Sequence, residues 1–182
     1  MDKSTGNIII RRGVPNSVES EIYVKALNDH LETIPDFALL KGPKMGGEGS
    51  PRPHVLPTGS IFLYAEAAEN KERAPHSMGS LCLMSLHAGT PMFRGLPDDL
   101  AKAGEIKRMI VFPEARGKGV ASQLIAEAER IAKTEMGVEL MLVETLWLLK
   151  GAQSLYRAAG YSERDVWGGY LREDSVCFEK WL

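Results

Sequence analysis

The sequence predicts a mixed α/β domain, with a central twisted sheet of parallel and antiparallel strands flanked by helices. Two observations carry that expectation. Short apolar runs of strand length recur along the chain, at residues 8–12, 60–67, 78–86, 105–111, 140–145 and 175–181. Between residues 105 and 145, strand, amphipathic helix and strand follow one another at a length that implies a parallel pair joined by a right-handed crossover.

Taken in order, Ile8 to Arg12 reads as an opening strand stopped by Gly13 and Pro15. Asn16 followed by Glu19 resembles an N-cap with a capping-box acid. Tyr23, Ala26, Leu27, Leu31 and Ile34 then supply a helical apolar stripe. From Gly42 to Gly59 five glycines and four prolines forbid a long helix or a central strand. A connection that long reads either as a functional loop, a flap over a substrate site, or as a mobile one. Two strands, Ser60 to Ala67 and Met78 to Leu86, flank a polar hairpin loop at Glu69-Asn70-Lys71-Glu72. The stretch from His87 to Gly104 reads as irregular. A strand from Glu105 to Val111 leads through Pro113 into a helix ending near Lys133, Gly137 punctuates, and Leu140 to Thr145 is the next strand. A helix from Gly151 to Ala159 and a closing strand from Ser175 to Trp181 complete the order.

The 182 residues fit one domain spanning 1–182, and the 44% hydrophobic and 25% charged fractions are globular values. A net charge of −2 with both signs interspersed leaves no electrostatic footprint for nucleic acid or an anionic membrane surface. Ile8-Ile9-Ile10 is too short for a signal segment or a span, so a cytoplasmic protein is expected. Cys82 and Cys177 each lie in an apolar strand-like run and read as buried thiols. His30, His54, His76 and His87 show no metal-ligand spacing, and no metal is assigned.

The chemistry-bearing stretch is Arg116-Gly117-Lys118-Gly119-Val120-Ala121, which opens the helix after the Glu105 strand. The first turn of a helix leaves N–H groups without partners at the positive end of the macrodipole, a natural seat for phosphate. Gly117 and Gly119 allow main chain to approach a ligand closely, while Arg116 and Lys118 add charge. A P-loop is excluded: Phe112 stands where its first glycine belongs and Gly119 follows Lys118 in place of a hydroxyl. A dinucleotide fingerprint would need a third glycine where this chain has Ser122, which leaves a nucleotide-dependent oxidoreductase as a weaker reading.

Arg-x-x-Gly-x-Ala after a strand and a proline resembles the signature of the GNAT (GCN5-related) N-acetyltransferase superfamily. A second segment, Ala152-Gln153-Ser154-Leu155-Tyr156-Arg157-Ala158-Ala159-Gly160-Tyr161, resembles that family's later motif, in the family order. The resemblance implies the GNAT acyl-CoA N-acyltransferase fold and acetyl-CoA as cosubstrate. Its diphosphate would be held by the backbone of residues 116–121, and its pantetheine arm bonded by the main chain of Met109, Ile110 and Val111 between two splayed strands. It also implies Tyr156 as proton donor to the departing thiolate and the Val111 N–H as oxyanion partner. Glu105 and Glu144 match positions that different relatives use for the base, with Glu105 the first choice. Either could equally be a strand-end charge or an ion-pair partner of Lys107 or Arg108.

Many relatives carry an Asn just before the second motif, where this chain has Trp147-Leu148-Leu149-Lys150-Gly151; Lys150 is a candidate electrostatic substitute. The expected activity is direct acetyl transfer to the amine of a small molecule or peptide. The alternative is a non-catalytic acyl-CoA sensor, separated from the enzyme by thiol release in the presence of amines. The acceptor is open, and so is the oligomeric state, with a homodimer compatible.

Overall fold

The computed structural model describes residues 7–40, 55–68, 77–89, 91–98 and 100–182. Among them seven strands form one sheet in the order β1-β2-β3-β4-β5-β7-β6. These are β1 (Ile8–Gly13), β2 (Ile61–Ala67), β3 (Ser77–His87), β4 (Lys102–Val111), β5 (Leu140–Leu146), β6 (Ser162–Arg164) and β7 (Ser175–Trp181). Every neighbouring pair is antiparallel except β4 and β5. The helix α2 (Val120–Met136) makes the crossover between those two, as the strand–helix–strand spacing requires.

α2 lays Val120, Leu124, Ile125, Ala128, Ile131 and Ala132 onto one face of the sheet, against Leu63, Leu81, Leu83, Ile106 and Val143. Gly137, at φ 64, ends it in the left-handed conformation that a residue without a Cβ adopts at little cost. The opposite face is covered by α1 (Val18–Glu32) through Tyr23 and by Phe93, Leu96, Leu100, Trp167 and Tyr170. The third helix, α3 (Lys150–Ala158), follows β5.

Several boundaries differ from those read off the sequence, each for a local reason. α1 is capped by Ser17, whose hydroxyl accepts from the Ser20 N–H at 3.2 Å. Asn16 instead braces Leu56, accepting from its N–H at 2.9 Å and donating to its carbonyl at 3.0 Å. Ile34 lies past the end of that helix. β4 starts at Lys102, three residues before Glu105, because Gly104 is a strand residue chosen for closeness: a Cβ there would stand 2.9 Å from Met141 Sδ. β6 is too short and polar to announce itself and exists by pairing with β7. The segment 87–104 is less irregular than it reads, with a 3-10 turn at Pro91–Phe93 and buried Phe93 and Leu96. Most of the expected flap, residues 42–54, and the Glu69–Glu72 hairpin loop lie outside the described residues. No described helix is long and apolar enough to cross a membrane.

Candidate active site

The site begins where β4 and β5 stop pairing. Their parallel register runs from Ala103 opposite Leu140 to Ile106 opposite Val143 and ends there. β4 continues to Val111 against β3, and β5 continues to Leu146 against β7, so the two strands diverge and leave facing edges open. The cause is in β4. Ser80 pairs with Ile110 but Cys82 pairs with Lys107, so β4 carries one extra residue and bulges. Arg108, inside the bulge, takes φ 52, a left-handed conformation that costs a non-glycine residue about 1 kcal/mol or more. Such strain persists only where the surrounding ladder enforces it.

The gap widens into a cleft of about 970 Å³. Main chain and side chains of Lys107 through Val111 form one wall, Glu144 to Leu146 another, Lys150 to Tyr156 a third, and α1 with the turn at Phe37–Leu39 the fourth. The Val111 carbonyl accepts from Arg116 Nε at 3.1 Å, while Phe112 turns its N–H the other way, to Met78 O at 3.0 Å. Since polar main-chain groups alternate sides along a strand, the N–H of Val111 also faces the cleft.

At one end of the cleft stands the first turn of α2. Gly117 and Gly119 have φ 75 and 81, and a Cβ on either would meet nothing within 4 Å, so both face open space. Gly119 caps the helix without a side chain, the first turn holds no acid, and the first helical bond runs from Gln123 N to Gly119 O. The preceding amides, Val120 to Ser122, thus have no i−4 partner and suit a diphosphate. Arg116, Gly117 and Ala121 line the cleft, with Arg116 Nη2 3.3 Å from His30 Nε2 of α1. Lys118 is exposed beside it, and Val120 turns into the core.

Tyr156 lies on the cleft wall at 5% exposure, its ring packed on Tyr161 and Phe178 and its hydroxyl 3.6 Å from Met109 Sδ. Burial, and then the carboxylate of Glu144, push its phenol well above the ordinary value. It is a proton-bearing group at any physiological pH. The two glutamates part company. Glu144 is on the wall, its Oε1 accepting from the Ser175 hydroxyl at 2.8 Å. Glu105 has no exposed surface and is not on the wall. Its Oε1 accepts from the Tyr170 hydroxyl at 2.5 Å and from Lys107 Nζ at 3.0 Å, and its Oε2 has no partner among the described residues. Burial raises the Glu105 carboxyl against the opposing pull of Lys107 and Tyr170.

The structure thus brings the loop, the β4 edge, Tyr156 and Glu144 to one cleft and pairs Lys107 with the glutamates, one of the alternatives the sequence offered, while Tyr170 and Ser175 were missed. The alternation of Glu105 and Lys107 on one strand was the signal for their pairing; Tyr170 lies in a stretch with no periodicity. Trp147 and Lys150, where relatives carry Asn, are neighbours, with Lys150 Nζ 5.9 Å from the Trp147 ring centroid. Among the described residues no cluster of His, Cys, Asp or Glu could hold a metal ion.

Several solved structures share this architecture across nearly their whole length. A presumed acyl-CoA N-acyltransferase from Klebsiella pneumoniae aligns with TM-score 0.69 at 21% identity, covering 97% of this chain and 99% of that one. Arabidopsis thaliana NAA60, crystallised with acetyl-CoA, aligns with TM-score 0.64 at 14% identity, covering 97% and 99%. The Vibrio cholerae spermidine N-acetyltransferase SpeG, in a mutant form, aligns with TM-score 0.58 at 17% identity, covering 96% and 93%. At these identities the likeness is one of fold. Comparison with curated protein sequences gives no match. Residues 79–163, from β3 to β6 and so including the bulge, the glycine loop and Tyr156, match the family model of the acetyltransferase (GNAT) domain. Residues 79–163 are therefore similar to the acetyltransferase (GNAT) domain, and the chain as a whole has the fold of these acyl-CoA N-acyltransferase structures.

Proposed function

We propose that the protein is an acetyl-CoA-dependent N-acetyltransferase that passes the acetyl group directly to the amine of a small molecule or peptide. The observation that carries this reading is the continuity of the cleft: one open strand edge runs from the amides of α2 to the hydroxyl of Tyr156. The amides of residues 117–122, with Arg116 and Lys118, would hold the diphosphate of acetyl-CoA, and the β4 edge at Met109–Val111 its pantetheine arm. That SpeG is a spermidine acetyltransferase and that NAA60 was crystallised with acetyl-CoA support a CoA thioester here, and leave the acceptor open between amine classes.

The residues divide the work of forming a C–N bond and breaking a C–S bond. Glu144 takes the proton that the amine must lose, directly or through one water, because it lies on the wall whereas Glu105 is enclosed. The Val111 N–H meets the negative charge that develops on the thioester oxygen. Tyr156 gives its proton to the thiolate as the C–S bond breaks. No cysteine acts as relay: burial pushes the Cys82 and Cys177 thiols up to about 12 and keeps both protonated.

Calorimetry with CoA and acetyl-CoA, followed by thiol release across a panel of amines and N-terminal peptides, tests the proposal. Binding of CoA with release for at least one amine class is expected. Absence of CoA binding overturns the reading, and binding without release for any amine replaces it with a sensor.

A further inference from the structure

Two carboxylates, Glu105 and Glu144, face the ammonium of a single buried lysine. Lys107 Nζ is 3.0 Å from Glu105 Oε1 and 3.9 Å from Glu144 Oε2, and the lysine is 8% exposed, on the cleft wall. It also donates to the Tyr170 hydroxyl and sits 4.6 Å from the centroid of that ring, which Trp167 packs edge-on at 5.1 Å. Contacts from its own strand, from β5 and from Tyr170 therefore fix one flexible side chain. A buried ion pair gains little stability over apolar packing, so its placement at the reacting end of the cleft calls for a role beyond folding.

We propose, on the reading given above, that Lys107 is a positioning residue for Glu144: anchored by Tyr170 and Glu105, its ammonium holds the Glu144 carboxylate ionised and oriented toward the cleft. The two acids thereby take different parts. Glu105, deep and doubly bonded through one oxygen, is the fixed counter-charge of the lysine. Glu144, bonded to Ser175 on one oxygen and drawn toward Lys107 by the other, is the one that meets the amine.

Among the described residues, the groups around Glu144 bear on this. From β4 come Lys107 and Glu105, of opposite sign. From β7 come Ser175 and the paired Cys177, both uncharged at neutral pH. From α3 comes Tyr156, protonated, and the cleft wall adds Arg108 and Lys150 at other positions. The Lys107 ammonium reaches both acids, 3.0 Å from Glu105 Oε1 and 3.9 Å from Glu144 Oε2, and so offsets the repulsion between them.

The test is a carboxyl titration that requires no acceptor. Protein labelled with 13C at glutamate carboxyls, with Glu144→Gln to assign the resonance, is titrated by NMR in the presence of CoA. Lys107→Met should move the Glu144 titration up by more than one pH unit. Glu105→Gln, which removes the negative charge that shares the lysine, should move it down, and Lys107→Arg should hold it near the wild-type value. Opposite shifts show that Lys107 and Glu105 both act on the charge of Glu144; an acid limb of kcat/KM that moves in Lys107→Met and is restored in Lys107→Arg separates positioning from a purely structural lysine. If Lys107→Met does not fold, the Glu105→Gln and Lys107→Arg arms decide. A Glu144 titration unmoved by Glu105→Gln and Lys107→Met overturns the proposal. Should wild type release no thiol with any amine, the acetyltransferase reading fails on that assay, while the carboxyl titrations still decide the role of Lys107. Where release occurs, the acid limb of kcat/KM should follow the same shifts.

Discussion

Gly79 of β3 stands opposite Val111 of β4, and a Cβ on it would lie 2.4 Å from the carbonyl oxygen of Ile110 and 3.0 Å from Cα of Val111. The atom it would strike is backbone, so the two strands must separate. Gly79 is thus what lets β3 stay in register with the end of β4 immediately beyond the bulge, and the bulge is what opens the cleft.

Gly79→Ala should therefore lower stability by about 1–3 kcal/mol, as overpacking does, and also displace the Val111 edge. CoA affinity should fall at least several-fold in protein that remains folded. Thermal unfolding and calorimetry read the two effects separately. Unchanged CoA affinity in the variant would show that the edge at Val111 takes no part in binding.

Tyr156→Phe keeps the ring among Tyr161 and Phe178 and removes only the hydroxyl, whose one sulfur contact is weak. Stability and CoA affinity should hardly change. kcat should fall by about 10²-fold, the low end of what a general acid contributes. Because burial raises the phenol, this tyrosine should contribute no alkaline limb to the pH profile below pH 9. An unchanged kcat at saturating substrate would return Tyr156 to a packing role.

How far the sequence reached depends on what kind of force sets each feature. Six of the seven strands, α2 and α3 were legible because apolar spacing sets them locally, and the glycine loop because left-handed backbone at Gly117 and Gly119 needs glycine. The N-cap slipped by one residue because Asn16 is engaged by Leu56, forty positions away, which no local pattern records. The ranking of Glu105 over Glu144 rested on position along strands. Which acid reaches the cleft is settled instead by the divergence of β4 from β5 and by Tyr170 closing over Glu105, both tertiary facts.

Gly119→Ala should separate backbone cost from steric cost at the diphosphate seat. Its Cβ would meet open space, so the penalty is that of a left-handed alanine, about 1–2 kcal/mol, with no clash. Stability should drop by that amount and CoA affinity by several-fold, since the methyl intrudes where the diphosphate would lie. Equal loss of affinity for CoA and for dephosphorylated pantetheine would move the diphosphate elsewhere.

Both thiols are buried and held protonated, so iodoacetamide at pH 8 should leave Cys82 and Cys177 unmodified in folded protein and acetyl transfer intact. Intact mass before and after treatment reads the modification. Rapid alkylation accompanied by loss of transfer would point to a covalent acyl-thiol route in place of direct attack.

Glu105 ties stability to pH in a direction opposite to that of most surface acids. Burial raises its carboxyl above the ordinary value of 4.5, so between that pH and its raised value the folded chain binds a proton that the unfolded chain has lost. More protons on the folded state means stability falls as pH rises through this window. Below 4.5 both states hold the proton, and the contribution is fully present. Glu105→Gln removes the titration while keeping an acceptor for Tyr170 and Lys107. Whatever its stability at pH 4.5, the variant should therefore gain relative to wild type as pH increases toward 8. Urea unfolding of both proteins at half-unit steps measures the difference directly. A difference that stays flat, or moves in favour of wild type, would mean that the Lys107 and Tyr170 contacts fully offset burial and that Glu105 is ionised at no cost to the fold.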